Sequence, residues 1–94
     1  MIVSHESLNC AVLTDGKKTT VLRYDADHLR KYSELFELPG WTTEKVYKEL
    51  RAGIESEILE AFPDEPPTCI DQVVSLIMRY ASANIHHPNE EVQR

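Results

Sequence analysis

The chain is poor in the residues that mark phosphate-binding loops and disulfide frameworks. It has three glycines, which fall at a turn, at a helix end and inside a helix, so none belongs to a glycine-rich loop. Its two cysteines, Cys10 and Cys69, stand alone in apolar surroundings, a pattern typical of reduced thiols. These absences argue against a nucleotide-binding loop and against a small secreted protein held together by disulfides.

Long apolar segments are also missing. No apolar run approaches the roughly 20 residues that a membrane-spanning helix needs. Residues 1–6 lack the basic and apolar regions of a secretory signal, so we expect a cytoplasmic protein. The length of 94 residues fits a single small domain over residues 1–94, with a polar, frayed tail at 87–94.

The four histidines and two cysteines are not spaced like metal ligands. Zinc sites usually take ligands in close pairs such as Cys-x-x-Cys, whereas Cys10 and Cys69 are isolated and His86 and His87 are adjacent. We therefore expect no metal and no cofactor.

Catalytic patterns are equally weak. A cysteine nucleophile needs a base and an electropositive setting, but Cys69 lies near Asp71 and other acids. Glu57 and Glu60 are one turn apart, yet they fall on the side of a helix that its apolar stripe leaves to solvent. The sequence therefore predicts no catalytic residue and no enzymatic activity.

Negative charge is concentrated in the second half of the chain. Residues 1–48 carry seven acids and seven bases, whereas residues 49–94 carry nine acids and three bases, which accounts for the net charge of -6. Between residues 49 and 71, seven carboxylates face a single cation, Arg51. Such a surface repels nucleic acid and attracts basic proteins. The candidate docking face comprises Glu49, Glu55, Glu57, Glu60, Asp64 and Glu65.

The first section of the chain predicts a β-hairpin over about residues 8–24. Asp15-Gly16 between two β-prone runs is a strong turn signal, because glycine accepts the positive φ of such turns. A two-residue loop would set Cys10 opposite Val21, and a three-residue loop would set it opposite Leu22. The second register places more apolar side chains on one face. An additional short strand over residues 2–4 is compatible with the sequence.

Three helices are predicted after the hairpin. The first covers about 26–38 and is capped by Asp25 or Asp27. The second covers about 43–62, with Thr42 as N-cap. Gly53 lies inside it, and a close crossing by another element would explain a residue that costs up to about 1 kcal/mol relative to alanine.

The third helix is predicted over about 69–86, with Thr68 as its cap. It is the most apolar segment, so we expect it at the centre of the molecule or in a dimer interface. The resulting order is ββααα, an α+β fold.

These features predict a small, acidic, cytoplasmic protein-interaction or regulatory module without catalytic activity. Its expected partner is a protein with a basic surface, and a homodimer through the third helix is a second expected association. The alternative is an acidic inhibitor or nucleic-acid mimic of mobile-element (phage-like) type that occupies a basic nucleic-acid-binding protein. We expect no direct nucleic-acid binding, since the second helix is acidic and the third is apolar, whereas a recognition helix needs basic and amide side chains.

Overall fold

A three-stranded antiparallel sheet forms the first part of the fold, in a computed structural model that describes residues 1–85. The strands are β1 (Ile2–Glu6), β2 (Cys10–Thr14) and β3 (Thr19–Arg23), in the order β1-β2-β3. The α+β class is confirmed, but the predicted two-stranded hairpin is corrected to a three-stranded sheet. The short strand that the sequence allowed at residues 2–4 extends to Glu6 and pairs with β2.

The register of the β2–β3 hairpin differs from both alternatives drawn from the sequence. Thr14 pairs with Thr19, so the loop has four residues, 15–18, and Cys10 lies opposite Arg23 instead of Val21 or Leu22. This register leaves Leu22 on the buried side of the sheet.

The loop owes its length to Asp15. Its carboxylate accepts backbone hydrogen bonds from Lys17 at 2.9 Å and Lys18 at 2.7 Å, and its own N–H donates to the Lys18 carbonyl at 3.2 Å. Gly16 has a φ of 91°, a conformation that glycine adopts without steric cost. The hydrogen bonds from Lys18 and Lys17 lower the pKa of Asp15.

The first helix is shorter than predicted. α1 covers Arg30–Glu34 and continues into a 3₁₀ turn at Leu35–Glu37, with no side-chain cap. Asp25 caps the turn that precedes α1, where its carboxylate accepts the His28 N–H at 3.4 Å, and it also accepts from Arg23 at 3.2 Å. Asp27 binds the Arg30 guanidinium and caps no helix of the described chain. Residues 25–29 form turns before the helix begins.

The second helix agrees with the prediction to within one residue. α2 covers Thr43–Ala61, and the Thr42 hydroxyl accepts the Lys45 N–H at 3.3 Å as its N-cap. Trp41 is half-buried and Val46 is fully buried against the core, the two positions of a hydrophobic staple. The element that lies closest over Gly53 is α1, through Tyr32.

The third helix begins earlier than predicted. α3 covers Pro67–Ala81 and is followed by a 3₁₀ turn at Ser82–Asn84. Pro66 holds the N-cap position, so the expected Thr68 cap is wrong. A proline at the first helical position has a preset φ and lacks the N–H that would go unpaired, so Pro67 favours this earlier start. α3 also ends earlier than predicted, at Ala81 instead of about residue 86, and the predicted tail at 87–94 lies outside the described residues.

One apolar cluster joins the inner face of the sheet to the three helices. α2 and α3 pack against each other, and the buried stripe of α3 contacts the core of its own chain. The most enclosed side chains belong to both layers: Leu13 and Tyr24 from the sheet region, Val46, Leu50 and Ile58 from α2, and Val74 and Ile77 from α3.

Hydrogen bonds of Asn84 tie the end of α3 to the sheet. Its Nδ2 donates to the carbonyls of Leu8 at 2.7 Å and Tyr24 at 2.8 Å. The Tyr24 hydroxyl in turn lies 2.6 Å from the Ser7 carbonyl and 2.8 Å from that of Cys10. Burial raises the pKa of Tyr24. These contacts fix the position of the sheet relative to α3.

Candidate docking surface and the cleft between α2 and α3

The six carboxylates of the candidate docking face lie on more than one side of the molecule. Successive helical residues are about 100° apart, so Glu55 and Glu57 point about 160° away from each other on α2. The neighbours of these carboxylates also differ between the two sides of α2. Glu57 and Glu60 lie toward the sheet, whereas Glu55 and Glu65 border α3.

On the sheet side, the carboxylates lie beside a lysine and a histidine. Glu57 and Glu60 border a shallow concavity together with Lys18 and Thr20. The His28 Nε2 atom lies 4.0 Å from a Glu57 carboxylate oxygen, and both side chains are well exposed. This part of the surface is polar, and its charge is partly balanced within the chain.

On the α3 side, an apolar cleft of about 380 Å³ separates the two long helices. We call it the α2–α3 cleft. Its apolar lining consists of exposed Leu59 and Pro67 with the buried Ile70 between the helices, and its rim carries the carboxylates of Glu55, Glu65 and Asp71. Leu59 lies next to the buried Ile58 of α2, but it is itself 39% exposed, at this cleft.

Two of the three rim carboxylates are paired within the chain. The Arg51 guanidinium contacts Asp71 and lies 3.3 Å from the Ser75 hydroxyl. The amino group of Met1 lies 3.0 Å from Glu65, whose hydrogen bond raises the pKa of that amine.

Glu55 is the third rim carboxylate, and it forms no ion pair with any described residue. Arg51 lies one turn before it and is correctly spaced for such a pair, but its guanidinium is turned toward α3. Glu55 is exposed at the cleft, so its negative charge is available to another molecule.

The other two predicted docking residues lie apart from the cleft. Glu49 is exposed in the second turn of α2, and Asp64 borders a second concavity together with Asp15, Phe62 and Glu65. Asp71, one of the seven carboxylates between residues 49 and 71 but not part of the predicted docking face, lies on the cleft rim. The structure therefore brings together Glu55, Glu65 and Asp71 at the cleft and places Glu49, Glu57 and Glu60 elsewhere. Asp64 is outside the cleft but shares a neighbouring concavity with Glu65.

Cysteines and histidines contribute no cluster to this surface. Cys10 and Cys69 are free, half-buried thiols, and the Cys10 Sγ lies 3.8 Å from the Ser7 hydroxyl. Within residues 1–85, no three His, Cys, Asp or Glu side chains are grouped so that they could hold a metal ion. His86 and His87 lie outside the described part of the chain.

Membrane-spanning helices are not found either: in the described range, no helix combines the length and the apolar character needed to cross a bilayer. Comparison of the chain with protein-family models, with curated proteins and with solved structures gave no match.

Proposed function

We propose that this protein is a small, non-catalytic interaction or regulatory module of the cytoplasm that docks a partner with a basic surface. The observation that carries the proposal is the apolar α2–α3 cleft with carboxylates at its rim. Exposed apolar surface next to fixed negative charge matches a partner that presents apolar and cationic groups together.

The distribution of charge supports docking through more than one contact. Glu55 lies on one side of α2, and Glu57 and Glu60 lie on the other. A partner that wraps this helix would meet negative charge on both sides. Such charges would mainly speed association and select the partner, and their effect would weaken as salt screens them.

Affinity capture from the native cell tests this proposal. We expect the chain to retain a basic protein at low salt and to lose it as salt is raised. A Glu57→Lys/Glu60→Lys variant and a Glu55→Lys variant should each capture less, whereas Glu37→Lys, an exposed change in the turn after α1, should behave like the unaltered chain. Capture that is equal for all of these variants would contradict the proposal.

The alternative, an acidic inhibitor or nucleic-acid mimic, gives a different result in the same system. It predicts that DNA competes with this chain for the captured protein, with a strong dependence on salt. A docking module predicts capture that DNA leaves unchanged.

A homodimer through α3 stays a separate prediction. The apolar stripe of α3 packs into the core of its own chain, which leaves half-buried Leu76, Met78 and Tyr80 beside it. The mass of the protein in solution, measured over a range of concentrations, decides between a monomer and a dimer.

A further inference from the structure

The α2–α3 cleft joins two chemical environments within a short distance. Its interior is apolar, from Leu59, Pro67 and Ile70, and its rim carries carboxylates. Small-molecule pockets commonly measure about 300–1,000 Å³, and this cleft of about 380 Å³ is at the lower end of that range. Its size therefore suits one side chain of a partner better than a large ligand.

The three rim carboxylates differ in whether they are paired within the chain. Asp71 contacts Arg51, and Glu65 contacts the amino group of Met1. Glu55 alone among the three forms no ion pair with a described residue. A cation that enters the cleft would thus find an unpaired carboxylate at Glu55.

We infer that the α2–α3 cleft binds an arginine side chain of the basic partner, with the aliphatic stem on Leu59, Pro67 and Ile70 and the guanidinium on Glu55. This inference rests on the proposed function. Arginine combines an apolar stem with a cationic head. The apolar lining of the cleft complements the stem, and the Glu55 carboxylate complements the head. An uncharged aliphatic side chain would fill the interior but leave Glu55 without a cation.

Arginine suits the site better than lysine for a geometric reason. Its planar guanidinium offers a fork of N–H donors that matches a carboxylate in two parallel hydrogen bonds, and it is more weakly hydrated than an ammonium group. The same planar group already bridges α2 and α3 within the chain, where Arg51 contacts Asp71 and the Ser75 hydroxyl.

The test uses n-butylguanidinium, which reproduces the arginine head and stem, with the full ¹⁵N-labelled chain. Guanidinium ion supplies the head alone and n-butanol supplies the stem alone. We expect saturable amide shifts at millimolar n-butylguanidinium, centred on Glu55, Leu59 and Ile70. Each of the two partial probes should produce smaller shifts at equal concentration.

Two isosteric variants locate the contact. Glu55→Gln should weaken binding of n-butylguanidinium by about 1.5-fold to fivefold, the range expected for one exposed ion pair. Glu49→Gln removes the same charge from the same helix, away from the cleft, and should leave the affinity unchanged. Equal shifts with guanidinium ion alone, equal shifts with n-butanol alone, or equal affinity in the two variants would overturn the inference.

The cleft inference and the proposed function can fail independently of each other. Probe binding at the cleft in a chain that captures no basic protein would contradict the proposed function while leaving recognition of the side chain intact. Capture that depends on Glu57 and Glu60, in a chain whose cleft does not bind the probe, would contradict the cleft inference alone.

Discussion

The Tyr32 hydroxyl of α1 occupies the space that a Cβ atom on Gly53 of α2 would fill. A Cβ built at Gly53 would also lie 3.2 Å from the Tyr32 Cζ atom, closer than ordinary van der Waals contact. The short α1 therefore approaches the backbone of α2 at the one position of that helix that has no side chain. This contact accounts for a glycine in a helix interior.

Gly53→Ala should destabilise the protein even though alanine is the better helix former. Alanine would gain up to about 1 kcal/mol in helix propensity, but its methyl group would force the Tyr32 ring to move, and such overpacking costs about 1–3 kcal/mol. We expect a net loss in the free energy of unfolding, measured by urea denaturation. In a Tyr32→Ala background the same change should stabilise instead.

A substitution on the exposed side of α2 provides the control for Gly53. Ser56→Ala gains helix propensity at an exposed position of α2, so it should stabilise slightly, by about 0.5 kcal/mol. If Gly53→Ala stabilised the protein in the unaltered background, the Tyr32 ring would move away without loss of stability, and the prediction would be wrong.

The Asp15 loop should make stability depend on acid pH. The pKa of Asp15 is lowered in the folded state, so its carboxylate stabilises the protein above the ordinary value of 3.8 and loses that effect as pH falls through the folded-state pKa. Asp15→Ala should lower the melting temperature at neutral pH, and its difference from the unaltered chain should shrink in acid. Asp64→Ala provides the control, since Asp64 makes no hydrogen bond or ion pair with another described residue. A difference for Asp15→Ala that is constant with pH would contradict this role.

Removal of the Arg51 charge should have opposite effects on stability and on binding. Arg51→Met keeps an apolar stem but removes the contact with Asp71, so the free energy of unfolding should fall by less than about 1 kcal/mol. Binding of n-butylguanidinium should become severalfold tighter, because Asp71 joins Glu55 as an unpaired carboxylate at the cleft. Lys48→Met removes an equal charge elsewhere on α2 and should change neither quantity appreciably.

Loss of the Asn84 side chain should weaken the whole fold. Asn84→Ala leaves the carbonyls of Leu8 and Tyr24 without their donor, which should cost about 1–3 kcal/mol in urea unfolding. Asn9→Ala removes an exposed asparagine side chain at the same end of the sheet and should cost less than about 0.5 kcal/mol. Equal effects of the two substitutions would contradict the role of Asn84.

The elements that the sequence predicted best are those governed by local chemistry. α2 has a sustained apolar repeat and a threonine cap, and both act within a few residues of each other. The start of α1 and the hairpin register depended on where individual carboxylates bind. Asp25 and Asp27 both bind guanidinium groups, although Asp25 also accepts the His28 N–H, and Asp15 binds loop N–H groups. Residue types alone do not reveal these choices.

The candidate site was predicted only in part. The concentration of acids was evident from the sequence, and helical spacing alone separates Glu55 from Glu57. The cleft was not evident from the sequence, because it depends on how Pro67 and Ile70 of α3 lie beside Leu59 of α2. The contact of Arg51 with Asp71 joins residues that lie 20 positions apart, so no local pattern indicates that Glu55 stays unpaired.

The sheet also has two outer strands whose far edges pair with no other strand in the described chain. A flat edge of this kind invites other molecules to add strands and aggregate. On β1 the pairing is interrupted by an irregularity between Val3 and His5, which bends the strand locally. On β3 the exposed cation Arg23 ends the strand, and Lys18 stands just before it. Each edge therefore carries a feature that discourages the addition of a further strand, beside exposed Ile2 and Val21.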